Sequence, residues 1–161
     1  MNQQSKKEST HEERHDVELS RVYDFPRESV FNMFADPKKA VKFFSPEGAV
    51  KLLFEWDPRP GGAIRIHDRY EGTTHKTEGT ILEFVAPELL VYRSATQGEG
   101  DAPFEALQTM KFESLGPKKT RVTILVKVLT PGSFPGGIES LAEGFKGGWG
   151  QTLDMLQREL R

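Results

Sequence analysis

The stretch from Ile138 to Leu160 reads IESLAEGFKGGWGQTLDMLQREL, with apolar residues at Ile138, Leu141, Phe145, Trp149, Leu153, Leu156 and Leu160. The steps between them are three, four, four, four, three and four. At about 3.6 residues per turn these positions fall on one stripe, so the spacing predicts a long amphipathic helix. The interior of this helix holds Gly144, Gly147, Gly148 and Gly150. Each costs about 1 kcal/mol relative to Ala, so the cluster marks either a weak point or a place where another backbone comes close. A single long helix cannot bury its own stripe. Its partner has to lie upstream, and what lies upstream decides the fold.

Between Ala49 and Thr130 apolar runs alternate with turn signals: DPRPGG at Asp57 to Gly62, EGTT at Glu71 to Thr74, APE at Ala86 to Glu88, QGEGDAP at Gln97 to Pro103 and LGPKKT at Leu115 to Thr120. Intervals of about 8 to 15 residues predict an antiparallel meander of about six strands with no room for crossover helices. Further upstream, Val17, Leu19, Tyr23 and Phe25 alternate with Glu18, Ser20 and Asp24, which predicts a first strand; Arg21 and Val22 break its pattern. Pro26 then opens a helical segment with Val30, Phe31 and Phe34 at helical spacing. Asp36-Pro37 interrupts it, and PKKAVKFF predicts a second short helix with Val41 and Phe44 on one side. PGSFPGG after Thr130 ends the last strand, and no internal repeat is visible. The expected class is α+β: one sheet, two short helices after its first strand, and one long helix at the end.

Composition bounds the function. A chain of 161 residues and 18.2 kDa, 36% hydrophobic and 29% charged, predicts one globular domain with a sizeable core. The absence of Cys excludes disulfides, thiol catalysis, Cys-ligated zinc and iron–sulfur clusters. With 22 Lys and Arg against 24 Asp and Glu, no global positive field attracts a phosphate backbone, and nucleic acid is not an expected partner. No apolar run has the length of a membrane span and no apolar segment of a secretory signal stands near Met1, so the expectation is a cytoplasmic protein. From Met1 to Asp16 the chain holds no Val, Ile, Leu, Phe, Trp or Tyr. Residues 1–16 are therefore expected to form an unordered polar tail, with the folded domain spanning 17–161.

Motifs that announce chemistry are weak. His11-Glu12-Glu13-Arg14-His15 spells H-E-x-x-H, a zinc-site pattern, but it stands in the polar tail without the apolar face and enclosing shell that a working site needs. No metal ligand is assigned. GGWG at Gly147 to Gly150 and RPGG at Arg59 to Gly62 have neither dinucleotide nor P-loop spacing, and no G-x-S-x-G elbow exists. No cofactor is expected. His67 and His75 flank the Glu71-Gly72 turn, where a hairpin would let them face one another.

Six segments in order carry a family resemblance: SRVYDFP at Ser20 to Pro26, VFNMFADP at Val30 to Pro37, FFSPEG at Phe43 to Gly48, RPGG at Arg59 to Gly62, APELLVY at Ala86 to Tyr92 and GW at Gly148 to Trp149. Together they resemble the homologues of the C-terminal domain of the activator of the ninety-kilodalton heat-shock protein ATPase, within the START-like or SRPBCC superfamily. The resemblance covers about Val17 to Leu160. The family commonly has two Trp where this chain has Phe43 and Phe44, and an aromatic where Ile64 stands. The resemblance implies a helix-grip fold: a curved antiparallel sheet of about six or seven strands around the long C-terminal helix. It also implies a space between helix and sheet in which many superfamily members carry lipids, steroids, polyketides or aromatic compounds.

Alternation places Ile64, Ile66, Asp68 and Tyr70 on one face of their strand, Leu90 and Tyr92 on the next, Gln108, Met110 and Phe112 on another, and Val122, Ile124, Val126 and Val128 on the last. Phe145 and Trp149 face them from the helix, and Phe31 joins them from the first short helix. Asp68, Tyr92 and Gln108 are polar groups on apolar faces, and each requires a partner: one another, backbone, water or a ligand that they orient. The expected ligand-binding set is thus Phe31, Ile64, Ile66, Asp68, Leu90, Tyr92, Gln108, Met110, Phe145 and Trp149. The first function expected is binding of a small hydrophobic or aromatic molecule. The alternatives are a chaperone-interacting ATPase activator and a cavity enzyme of cyclase, dehydratase or hydrolase type using Asp68, Tyr92 or His67 as acid or base. No residue pattern demands a reaction, so no catalytic residue is assigned; a homodimer is left open.

Overall fold

Turn chemistry lays the chain down as a series of hairpins. The computed structural model describes residues 15–130 and 136–161; the H-E-x-x-H pattern, apart from His15, and residues 131–135 of the break after the last strand lie outside them. Strands β1 (Val17–Tyr23), β2 (Val50–Trp56), β3 (Ala63–Tyr70), β4 (Thr73–Val85), β5 (Leu89–Gly98), β6 (Phe104–Gly116) and β7 (Lys119–Thr130) form one sheet in the order β1-β7-β6-β5-β4-β3-β2. Every neighbouring pair is antiparallel. Helices α1 (Arg27–Ala35) and α2 (Pro37–Ala40) follow β1, and α3 (Gly137–Leu160) closes the chain. Between β3 and β4 the pair Tyr70↔Thr73 is closed by Glu71 and Gly72, both at positive φ (52° and 80°). That is the two-residue turn whose twist suits a hairpin, and Gly72 makes the second left-handed position free of strain.

Strand parity is as the alternation predicts. Ile64, Ile66 and Asp68 on β3, Leu90 and Tyr92 on β5, Met110 and Phe112 on β6 and Val122, Ile124 and Val126 on β7 are all buried on the helix side. In β1 the period runs unbroken through Arg21, which lies on the inner parity yet reaches out to pair with Asp154 of α3, while Val22 faces solvent at 44% exposure. A long aliphatic stem with a charged tip can occupy such a position at a sheet edge. Asp16, assigned by composition to the tail, is already tied to β7: its N–H donates to the Val126 carbonyl at 2.8 Å and its carboxylate accepts from the Val128 N–H at 2.7 Å.

The long helix lies across the inner face of the sheet and buries Leu141, Trp149, Leu153 and Leu156. Ile138 departs from the expected stripe and is 43% exposed, since the first turn overhangs the sheet. Two side-chain bonds clamp helices to strands: Tyr23 Oη donates to the Leu153 carbonyl at 2.8 Å, and Trp56 Nε1 donates to the Phe34 carbonyl at 2.6 Å. The second short helix is a single turn whose Asp36 side chain accepts from Lys38 N–H. It buries Ala40, and Phe43 beyond it is the fully buried ring, rather than the expected Val41 and Phe44.

Candidate functional site

One end of the space beneath α3 is filled and the other is hollow. At the filled end Phe31 of α1 packs on Phe84 and Phe112 with ring centroids 5.3 and 4.9 Å apart, and Phe34 packs on Phe112 at 5.5 Å. Leu90 and Met110 sit opposite one another on β5 and β6 and are fully buried. Phe31, Leu90 and Met110, expected among the cavity residues, are therefore core. Parity gave the side of the sheet correctly for Leu90 and Met110, while Phe31 belongs to α1, and all three are packed into the core cluster. Phe31 also borders a separate groove of about 900 Å³ between α1, Phe84 and Leu160 on the outside of the molecule.

At the other end a cavity of about 420 Å³ lies between α3 and β3–β6. The structure brings seven of the expected residues together there: Ile64, Ile66, Asp68, Tyr92, Gln108, Phe145 and Trp149. Aromatic rings form one part of the wall, beside aliphatic and polar residues that include Thr77, Thr96 and Thr152. Phe44 lies 4.8 Å from Trp56, 5.8 Å from Trp149 and 6.4 Å from Tyr92, and Trp56 lies 5.6 Å from Tyr92. The helical wall includes Gly144 and Gly148. A Cβ built on either would meet no atom within 4 Å, so no backbone approaches these glycines and what they face is open space.

Two polar stations interrupt the apolar wall. The first is centred on Gln108: its Oε1 accepts from Tyr92 Oη at 3.0 Å and Trp149 Nε1 at 2.8 Å, and its Nε2 donates to Ser94 Oγ at 3.3 Å. Tyr92 and Gln108 thus satisfy one another. Burial holds the Tyr92 hydroxyl far above the ordinary phenol range, which keeps it a neutral donor.

The second station is Asp68, 8% exposed, whose two carboxylate oxygens share the Ser45 hydroxyl at 3.0 and 3.1 Å. Desolvation raises its pKa; the Ser45 hydrogen bond and the positive charges of Lys51, His75 and His67 pull it back. Lys51 stands opposite Asp68 on β2, and burial lowers its own pKa against the attraction of Asp68. His75 stands opposite Asp68 on β4 and lines the cavity.

The two histidines do not face one another. Register sets His67 against Lys76 on the outer face, where its Nε2 lies 3.1 Å from Glu78 Oε2. His67 is therefore not positioned to act inside the cavity. Sequence reasoning missed His75, Thr77, Ser45 and Trp56 as lining residues, while Phe44, which the family resemblance put at the cavity, does line it. The signal for His75 was present: counting back from the Glu71-Gly72 turn pairs it with Asp68. In the first half of β4 the inner face reads His75, Thr77 and Gly79, with no apolar residue until the fully buried Ile81.

An antiparallel sheet gripping one long C-terminal helix over an aromatic-lined hollow defines a helix-grip protein of the START-like class. Residues 24–161 match the family described as activator of Hsp90 ATPase homolog 1-like protein, and the chain belongs to that family. Among solved structures it is similar to protein CV1439 from Chromobacterium violaceum, at 26% identity and a TM-score of 0.73, covering 89% of this chain and 95% of that one. It is also similar to Mll3558 from Rhizobium loti, at 21% identity, a TM-score of 0.72 and 89% and 94% coverage. A Rhodobacter sphaeroides protein shows 19% identity, a TM-score of 0.72 and 89% coverage of both chains. No curated protein matches the chain. Among the described residues no helix is long and apolar enough to cross a membrane, and no group of three or more His, Asp or Glu is placed to hold a metal ion.

Proposed function

We propose that this protein binds a small, mainly apolar or aromatic molecule in the cavity between α3 and the sheet. The observation that carries the reading is the cavity itself. At about 420 Å³, with aromatic and aliphatic walls and a few converging polar groups, it has the size and lining of a small-molecule site, for which roughly 300–1,000 Å³ is typical. The helix supports the same reading, since Gly144 and Gly148 line this space and put no side chain into it.

Native mass spectrometry of protein purified from its own host is expected to show a retained small molecule, and apolar ligands are expected to raise the melting temperature by mass action on the folded state. Gly148→Phe, which places a ring in the cavity, should abolish both effects while leaving the fold intact by circular dichroism. A flat thermal response across lipids, sterols and aromatic compounds would remove the proposal. Altered ATP turnover of the host chaperone, equal for the native chain and Gly148→Phe, would point instead to the action in the family's description.

A further inference from the structure

The two polar stations of the cavity differ in what they have left to offer. Gln108 has its acceptor side engaged: its carbonyl oxygen holds two donors and one of its two amide N–H groups holds Ser94, so it positions Tyr92 and Trp149 as walls and has no acceptor left for a guest. Asp68 is not so engaged. A carboxylate presents about four acceptor sites, and here both oxygens draw on one hydroxyl proton, that of Ser45. The group is buried at 8% exposure and borders the cavity. Among the described ion pairs within 4.0 Å none involves Asp68, although Lys51 and His75 stand opposite it on the two flanking strands. An under-satisfied buried acceptor is stabilised by any donor that reaches it, and a bound molecule enters through that space.

Resting on the proposed function, we infer that the ligand is an amphiphile whose polar end is a hydrogen-bond donor, a hydroxyl or an amine, received by Asp68 beside Ser45 and His75, with its apolar body against Phe44, Trp56 and Trp149. The polarity has a direction. A ligand ending in a carboxylate or an ether oxygen brings an acceptor to an acceptor, which leaves the Asp68 oxygens desolvated and meets a like charge in the first case. The same surroundings set the apolar end, because Trp149 and Tyr92 have already given their N–H and O–H to Gln108 and present only ring faces and edges.

Calorimetric titration with compounds on one naphthalene scaffold tests this: 2-naphthol, 2-naphthylmethylamine, 2-methoxynaphthalene and 2-naphthoate. The two donors are expected to bind at least about ten-fold more tightly than the ether and the carboxylate, the gain associated with a hydrogen bond to a charged group. Naphthol ahead of the amine identifies a neutral donor, and the reverse order a cationic one. In Asp68→Leu the donor preference should vanish while the ether binds as well as before or better; Asp68→Asn, closer in shape, should retain a reduced preference. Binding of all four compounds with equal affinity, or a donor preference that survives Asp68→Leu, overturns this inference and leaves the proposed function standing. No binding by any of them, together with no retained molecule from the host, overturns both.

Discussion

Replacing Gln108 by Leu tests whether the hollow is maintained by one amide. The substitution keeps similar volume at a position only 5% exposed, and it removes the acceptor for Tyr92 Oη and Trp149 Nε1 and the donor for Ser94 Oγ. Each deserted buried group costs about 1–3 kcal/mol, and a Leu side chain returns part of that through burial. Tyr92 and Trp149 border the cavity, so water reaching them offsets part of the remainder. The expected net loss is about 2–4 kcal/mol, or about 4–16 °C in melting temperature for a domain of this size. Tyr92→Phe alone removes one donor and should cost about 1 kcal/mol. Because the hydroxyl has nothing to lose once its acceptor is gone, the double variant should be less unstable than the sum, with a coupling of about 1 kcal/mol or more. Urea titrations of the four proteins of this cycle, read at constant m-value, supply all the terms. A Gln108→Leu protein within about 0.5 kcal/mol of the native chain, or strictly additive losses, would refute the view that this amide holds the two aromatic walls apart.

Other perturbations follow from the same geometry. Gly148→Ala should stabilise the protein by about 1 kcal/mol through helix propensity, because its Cβ meets nothing within 4 Å; urea denaturation that shows a loss would mean that the space is not open. Asp68 has a folded pKa raised, chiefly by desolvation, above its ordinary 3.8, so the native state holds its proton more tightly than the unfolded chain. Its contribution is therefore present at low pH and declines as pH rises from about 3.8 through the raised folded value, so Asp68→Asn, which removes that decline, should make stability rise more steeply with pH over this range; parallel limbs would contradict this. Tyr23→Phe removes the bond to the Leu153 carbonyl that ties β1 to α3 and should cost about 1 kcal/mol in the same titration, whereas His67→Ala, on the outer face, should leave ligand affinity unchanged by calorimetry.

Much of the fold is legible because turns and periodicity are local. The Glu71-Gly72 turn, the strand parities and the step pattern of α3 are each written in a few adjacent residues, and the order β2 to β7 follows once the hairpins are placed, whereas the pairing of β1 with β7 is long-range. Site residues were legible only as to side. Leu90 and Tyr92 share one face of β5, yet the first is sealed in the core and the second walls the cavity. Period two reports which face a residue is on and carries no information about its position along the sheet relative to α1, which is a matter of long-range docking. Ser45 is a similar case: it lies in no strand or helix, and only tertiary structure brings it to Asp68, 23 residues along the chain. The glycines of α3 showed that something unusual happens there, but a close backbone and an open space leave the same mark in sequence.

The hollow also has to be reconciled with marginal stability. The space of about 420 Å³ is open to solvent and partly polar, so water can occupy it, but the apolar part of its wall forgoes the stabilisation that burial would give. A side chain at Gly144 or Gly148 would meet no steric obstacle, yet none is present. Instead the walls are tethered apart: Trp56 to the Phe34 carbonyl, and Tyr92 and Trp149 to Gln108, each through the one polar atom of its ring system. Those bonds fix the positions of the three rings around the space. Walls fixed around an open space in this way are what the proposed binding of a small molecule requires.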